Sequence, residues 1–229
     1  MLKKITNIGD CGITCDFGDE VNKSTNKEVI KLFNFIQNSV KTRKLKGILN
    51  YTPSYNKLII NFELGQIKSQ EIIEFIKSSE YSKIKLPENK KIIEIPICYD
   101  EEFALDIKRL EEKIKLSFKE IQNEHLNTKF FVYMIGFIPG HPFMGDLDIK
   151  FKTNRLETPR VNLPRGSVGI VEKFCNIYPF ESPGGWNIIG KTPLQLFDVN
   201  KKVTSLLSPG DTVIFKSITK KDLLSFKNE

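Results

Sequence analysis

No stretch of this sequence stays apolar long enough to cross a bilayer, which takes about 20 residues as a helix. The longest apolar run, residues 130–138, is broken by Gly136. The N-terminus, MLKKITNIGDCGITCDFGD, carries basic residues but no unbroken apolar segment, and Asp10 and Asp16 interrupt it, so it does not read as a signal peptide. A soluble, cytoplasmic protein with no membrane partner is expected. The four cysteines, Cys11, Cys15, Cys98 and Cys175, contain no CxxC pair, and neither of the two histidines lies near a cysteine in sequence. Metal ligation needs three or four converging donors, so no metal is expected and the cysteines read as reduced, buried thiols. No internal repeat at solenoid or propeller period occurs. No serine sits in a G-x-S-x-G elbow. Carboxylates are not paired at a telling spacing: Asp146 and Asp148 flank a turn and read as solvated. The densest basic run, Lys41, Arg43, Lys44 and Lys46, has no interleaved aromatics for base stacking. It reads as a solvated helix end and loop, and no nucleic-acid partner is expected.

The chain does have enough apolar material for a core, 40% of 229 residues, and a scattered formal charge of +7 that leaves room for an acidic small substrate or partner. Lysine-rich residues 83–91, with Pro87 and Asn89, read as a linker, dividing the chain into domains at 1–88 and 89–229. In the first part, residues 13–17 read as a strand after the Gly9-Asp10 turn. Val29, Leu32, Phe33, Ile36 and Val40 form one stripe of an amphipathic helix. Residues 47–51 and 57–62 read as strands around the turn at 53–56, and Ser69 as the cap of a second helix with Ile72, Phe75 and Ile76 inward. This order predicts helices on one face of an antiparallel sheet. In the second part, residues 92–99 read as a strand and two short helices follow, the second opened by a capping box from Ser117 to Glu120. His125 falls near that helix's C-terminus, where its protonated form would suit the dipole. From Thr128 onward, short strands alternate with turns rich in glycine and proline, among them Pro139-Gly140, Pro183-Gly184-Gly185 and Pro209-Gly210. Such spacing predicts a closed or nearly closed β barrel. The fold class expected is therefore α+β, a sandwich-like α+β domain followed by a β barrel.

The chemistry concentrates in residues 131–148, 158–171 and 177–198. Aromatics Tyr133, Phe137, Tyr178 and Trp186 beside Arg160, Arg165 and Ser182 supply apolar walls and a few directed polar groups, the mixture a small-molecule pocket requires. Gly185 to Thr192 fits the letters of a phosphate-binding loop, G-x-x-x-x-G-K-[ST]. That loop follows a buried apolar strand, whereas Pro179, Glu181 and Pro183 precede this one, and its interior Trp-Asn-Ile-Ile looks like a strand. A phosphate loop is rejected. His141 offers a base to Ser167 or Ser182, with no spacing to support a particular triad.

The run Tyr133-Met134-Ile135-Gly136-Phe137-x-Pro139-Gly140 resembles the signature of the 5-oxoprolinase B subunit, also called the KipI or allophanate-hydrolase-subunit-1 family. The resemblance continues through Pro159-Arg160, Pro164-x-Gly166-Ser167-Val168-Gly169, Ile177-Tyr178-Pro179, Ser182-Pro183-Gly184-Gly185-Trp186 and Gly190-Lys191-Thr192-Pro193. It implies a cyclophilin-like barrel in the second domain. It also implies one component of a cytoplasmic hetero-oligomer, inactive alone, that acts with the 5-oxoprolinase A and C subunits to open the lactam of 5-oxoproline (pyroglutamate) to glutamate. The complex consumes ATP, without a phosphate loop in this chain. Arg160, Ser182 and His141 are then the expected catalytic groups. Tyr133, Gly136, Phe137, Pro139, Gly140, Ser167, Tyr178, Gly184, Gly185, Trp186 and Thr192 are the expected substrate-binding positions. Two alternatives come with the family: an inhibitor of a sporulation-type histidine kinase, and an accessory subunit of a urea- or amide-processing enzyme. The chain departs from the family pattern in four places. His141 stands where an aromatic is common, Arg165 where a small residue is, and Lys191 where arginine is. Phe174-Cys175-Asn176 replaces a Gln-Thr-Gly-like turn.

Overall fold

A computed structural model describes residues 2–86, 91–151 and 153–226. The chain forms two compact units, Met1–Asn89 and Lys90–Glu229. The central residues of the expected linker, 87–90, lie outside the described part.

The first unit holds β1 (Lys4–Ile8), β2 (Gly12–Asp16), α1 (Lys23–Lys41), β3 (Ile48–Pro53), β4 (Lys57–Phe62) and α2 (Ser69–Lys77). Its strands form one antiparallel sheet in the order β1-β2-β4-β3. Ile13, Cys15, Leu58 and Ile60 alternate along β2 and β4 and pack with Val29, Leu32 and Ile36 of α1 and Ile72 and Ile76 of α2 in one core. The expected helices and strands are all present, with differences in detail. β1 is an additional edge strand; its sequence KITNI is mostly exposed and shows no buried alternation. The cap of α2 is Lys68, one residue before the expected Ser69, and its backbone N–H donates to Glu71 Oε1 at 3.0 Å. Cys11 is exposed rather than buried, because the turn between β1 and β2 carries it away from the sheet face that holds Cys15.

The second unit opens with β5 (Ile92–Ile97), α3 (Ile107–Ile114) and α4 (Phe118–Asn127). It continues with β6 (Phe130–Ile135), β7 (Pro142–Gly145), β8 (Arg160–Leu163), β9 (Ser167–Val171), β10 (Phe174–Ile177), β11 (Ser182–Gly184), β12 (Asn187–Lys191), β13 (Thr212–Ser217) and α5 (Lys220–Ser225). Seven strands run in the order β12-β9-β10-β7-β6-β13-β5. The outer strands of that row meet where Cys98 and Lys191 exchange backbone hydrogen bonds of 2.8 and 2.9 Å, closing the sheet into a barrel. Closure depends on Gly190: a Cβ there would lie 2.7 Å from the Cys98 carbonyl oxygen. β8 and β11 pair separately as a two-stranded flap. The Pro183-Gly184 segment, expected as a turn, is thus part of a strand. Among the described residues no helix is long and apolar enough to cross a membrane.

Side-chain alternation gives the barrel wall two apolar faces. Val132, Met144, Val168, Ile170, Cys175, Ile177 and Ile189 point into the barrel core. Val171, Tyr178, Trp186 and Ile188, with Phe143 and Phe174, form a second cluster that includes Leu163 of the flap. His125 belongs to the inner side. Its Nδ1 is 2.7 Å from Tyr99 Oη and its Nε2 is 3.5 Å from Cys175 Sγ. Burial pushes its imidazole down to about 3, so it is neutral at pH 7. The helix-dipole role expected of a protonated His125 is not realised, because desolvation outweighs a helix terminus.

Candidate functional site

The second apolar cluster surrounds a cavity of about 110 Å³, lined by Phe137, His141, Phe143, Arg155, Asn176, Tyr178, Pro183, Gly184, Gly185 and Trp186. The barrel wall supplies Phe143 from β7 and Asn176 from β10, and the flap supplies Pro183 and Gly184 from β11. The turn after β6 brings Phe137 and His141. Gly136 N–H donates to the His141 carbonyl at 3.0 Å, which pins that turn shut. Phe137 is held at a left-handed φ of 71° and remains 66% exposed at the rim. A bulky residue is uncommon in that region of backbone space, so the turn overrides a local preference to place this ring. Gly184 is required by closeness: a Cβ would fall 2.3 Å from Tyr178 Oη.

His141 is almost wholly buried, with its ring 4.8 Å from that of Phe143 and 5.0 Å from that of Tyr178. Asn176 Nδ2 lies 3.0 Å from His141 Nε2. An amide nitrogen only donates, so Nε2 accepts and the neutral ring carries its proton on Nδ1. Burial lowers the imidazole to about 4. His141 is therefore a weak base at neutral pH, and the expected role as a base for a serine is disfavoured by desolvation. Its Nδ1 and the Asn176 Oδ1 are buried without a protein hydrogen-bond partner.

The cation at the cavity is Arg155. Asn187 Nδ2 donates to Thr153 Oγ1 at 3.0 Å and to the Asn154 carbonyl at 3.1 Å, while Leu156 N–H donates to the Gly185 carbonyl at 2.8 Å. These bonds hold the segment on both sides of Arg155, whose guanidinium carbon sits 5.8 Å from the Trp186 ring. Burial raises the Tyr178 phenol, opposed by Asn176, the Trp186 backbone and the charges of Arg155 and Arg160.

The expected site residues divide. Phe137, His141, Tyr178, Gly184, Gly185 and Trp186 come together at the cavity. Arg160 does not line it. Its guanidinium donates to both oxygens of buried Asp106, at 3.0 and 2.7 Å, and Asp106 Oδ2 also accepts from Ile188 N–H at 2.7 Å. Ser182 Oγ is buried without a protein partner but is not part of the lining. Tyr133 donates to Asp146 at 2.6 Å. Ser167 donates to the Pro164 carbonyl at 2.7 Å, and Thr192 Oγ1 accepts from Leu194 N–H at 3.3 Å. Gly136, Pro139 and Gly140 shape the turn that carries Phe137 and His141. Phe143, Arg155 and the Asn176 amide are site groups that the sequence does not mark as such. Only Asn176 carries a signal, as a departure from the family pattern.

The apparent phosphate loop is barrel wall. Asn187–Lys191 is β12, paired with β9, and Lys191 Nζ lies 5.6 Å from the Phe103 ring centroid. These residues do not wrap a phosphate. Among the described residues no group of three or more His, Cys, Asp or Glu is placed to hold a metal ion.

A seven-stranded barrel sealed at one bridge, with its cavity under a two-stranded flap, makes this a protein of the cyclophilin-like barrel class. Residues 3–207 match the model of the carboxyltransferase domain, subdomain C and D, and the chain belongs to that family, the one that contains the 5-oxoprolinase B subunit. It is 32% identical to the 5-oxoprolinase B subunit of Bacillus subtilis (strain 168) over 237 residues, covering 99% of this chain and 97% of that protein. It is 24% identical to the urea amidolyase of Saccharomyces cerevisiae, with 94% of this chain aligned to 13% of that protein. Among solved structures, TTHA0988 matches 90% of this chain with 26% identity and a TM-score of 0.80, and this chain corresponds to 40% of that one.

Proposed function

We propose that this chain is the B subunit of an ATP-dependent 5-oxoprolinase, acting in the cytoplasm with the A and C subunits to convert 5-oxoproline to glutamate. The observation that carries the reading is the pairing of end-to-end similarity to a protein of that name with a small cavity of suitable chemistry. The cavity walls are aromatic, the buried polar groups are neutral, and the one cation among the lining residues stands beside Trp186. A five-membered lactam bearing a carboxylate matches that division: the ring against the aromatics, the amide toward His141 and Asn176, the carboxylate toward Arg155. The chain's part is to bind and orient the lactam and to exclude water. ATP is used elsewhere in the complex, since the Gly185–Thr192 letters lie in barrel wall.

The test is ATP-dependent glutamate formation from 5-oxoproline by the three purified components. Turnover is expected only when this chain is present. Full turnover by the A and C subunits without it would refute the assignment. The similarity to urea amidolyase supports a second reading, an accessory part of a urea- or amide-processing enzyme. Turnover of an acyclic amide in place of 5-oxoproline in the same assay would favour it.

A further inference from the structure

We infer that His141 and Asn176 together read the edge of a cis-amide, accepting one N–H and donating to one C=O of the same ligand. The inference rests on the functional reading above and names the feature of the ligand that the chain selects.

Both side chains are about 1% exposed and both line the cavity. They are tied to each other through Asn176 Nδ2 and His141 Nε2 at 3.0 Å. That bond uses one polar atom of each and leaves one of each over: a donor, His141 Nδ1–H, and an acceptor, Asn176 Oδ1. Buried polar atoms are rarely left unpaired in folded proteins, because desolvation is not repaid. Two such atoms of opposite hydrogen-bonding sense, coupled to each other at one cavity, call for a ligand with an acceptor and a donor side by side. A lactam has this arrangement, since its ring forces C=O and N–H onto the same edge. A lactone of the same shape offers only acceptors, and an N-methyl lactam lacks the donor. The pair is also neutral, so it discriminates by hydrogen bonding alone and leaves recognition of charge to Arg155.

The substitutions that make the pair are the two places where the cavity departs from the family pattern, an aromatic at position 141 and a Gln-Thr-Gly-like turn at 174–176. The two departures are in contact, as expected of positions that serve one feature.

The experiment is calorimetric titration of the full chain, assembled with the A and C subunits, with four probes: 5-oxoproline, its N-methyl derivative, the five-membered lactone carboxylate and 2-pyrrolidinone. 5-Oxoproline is expected to bind about 10- to 100-fold more tightly than either the lactone or the N-methyl compound, the penalty of leaving a buried group unpaired. His141→Phe and Asn176→Leu should each bring 5-oxoproline down toward the lactone. Arg155→Ala should weaken both carboxylates while sparing 2-pyrrolidinone. If wild-type protein binds 5-oxoproline, the lactone and the N-methyl compound alike, the pair holds only water and the inference is overturned while the functional reading stands. If none of the four probes binds, both fall. The comparison among probes on wild-type protein does not depend on any variant folding.

Discussion

Replacing His141 with phenylalanine should make the barrel unit markedly less sensitive to acid. The imidazole is lowered by burial from its ordinary 6.5 to about 4. Below pH 6.5 the unfolded chain takes up a proton that the folded site refuses until about pH 4. The unfolded state then binds more protons, so stability falls with falling pH across that window and is unaffected above it. Each pH unit of mismatch is worth about 1.4 kcal/mol, so moving from pH 7.5 to 4.5 costs the wild-type protein about 3 kcal/mol at this one residue. His125 and the carboxylates titrate in both proteins and cancel in the comparison.

The assay is urea unfolding followed by the fluorescence of Trp186, the single tryptophan, which is 5% exposed in the barrel unit and so reports that unit. His141→Phe also removes the partner of Asn176 Nδ2, a pH-independent loss of about 1–3 kcal/mol. The wild-type advantage should therefore be largest at pH 7.5 and shrink by about 3 kcal/mol at pH 4.5. The two pH values are expected to give clearly different mutant-minus-wild-type gaps. An identical gap at both would show that His141 is not held neutral by burial.

Three further substitutions test the architecture around the cavity. Gly190→Ala places a Cβ against the Cys98 carbonyl at the barrel seam and should cost about 3 kcal/mol in the same unfolding assay; an unchanged midpoint would mean that the seam is not needed for closure. Asp106→Ala leaves Ile188 N–H and the Arg160 guanidinium without their acceptor and should cost about 3–5 kcal/mol, whereas a loss under 1 kcal/mol would show the pair to be incidental. Gly184→Ala pushes a methyl group onto Tyr178 Oη inside the cavity, so 5-oxoproline binding by calorimetry should fall by at least tenfold; unchanged affinity would place the ligand elsewhere.

Most of the architecture is legible in the sequence because periodicity reports burial. The stripe from Val29 to Val40 and the capping box at Ser117 are local patterns, and local patterns give the right elements. β1 is not legible: an edge strand with little burial has no apolar alternation to show. His125 misleads because its position near a helix end is visible in sequence, while the enclosing rings of Phe130 and Phe215 come from strands, one of them far along the chain. The site is half legible for the same reason. Glycine, proline and aromatic density mark the loops that line the cavity. Yet two arginines stand close together at 155 and 160, and nothing local says which one Asp106, 54 residues upstream of Arg160, will neutralise. That pairing decides which guanidinium is left for a ligand, and only the tertiary fold sets it.

The division of labour at the cavity also bears on catalysis. Opening an unstrained amide requires proton transfer, and an efficient acid or base has a pKa near the working pH. His141, at about 4, is too weak a base and stays unprotonated at neutral pH, so it has no proton to give as an imidazolium. It can hold a carbonyl with Nδ1–H without exchanging that proton. The group that moves protons must therefore come from another component of the complex, in keeping with a chain that binds the lactam and is inactive alone. The pH–rate profile of the assembled complex between pH 6 and 9 should accordingly keep its shape when His141→Phe lowers its height. Loss of one limb of the profile in that variant would show the imidazole transferring a proton after all.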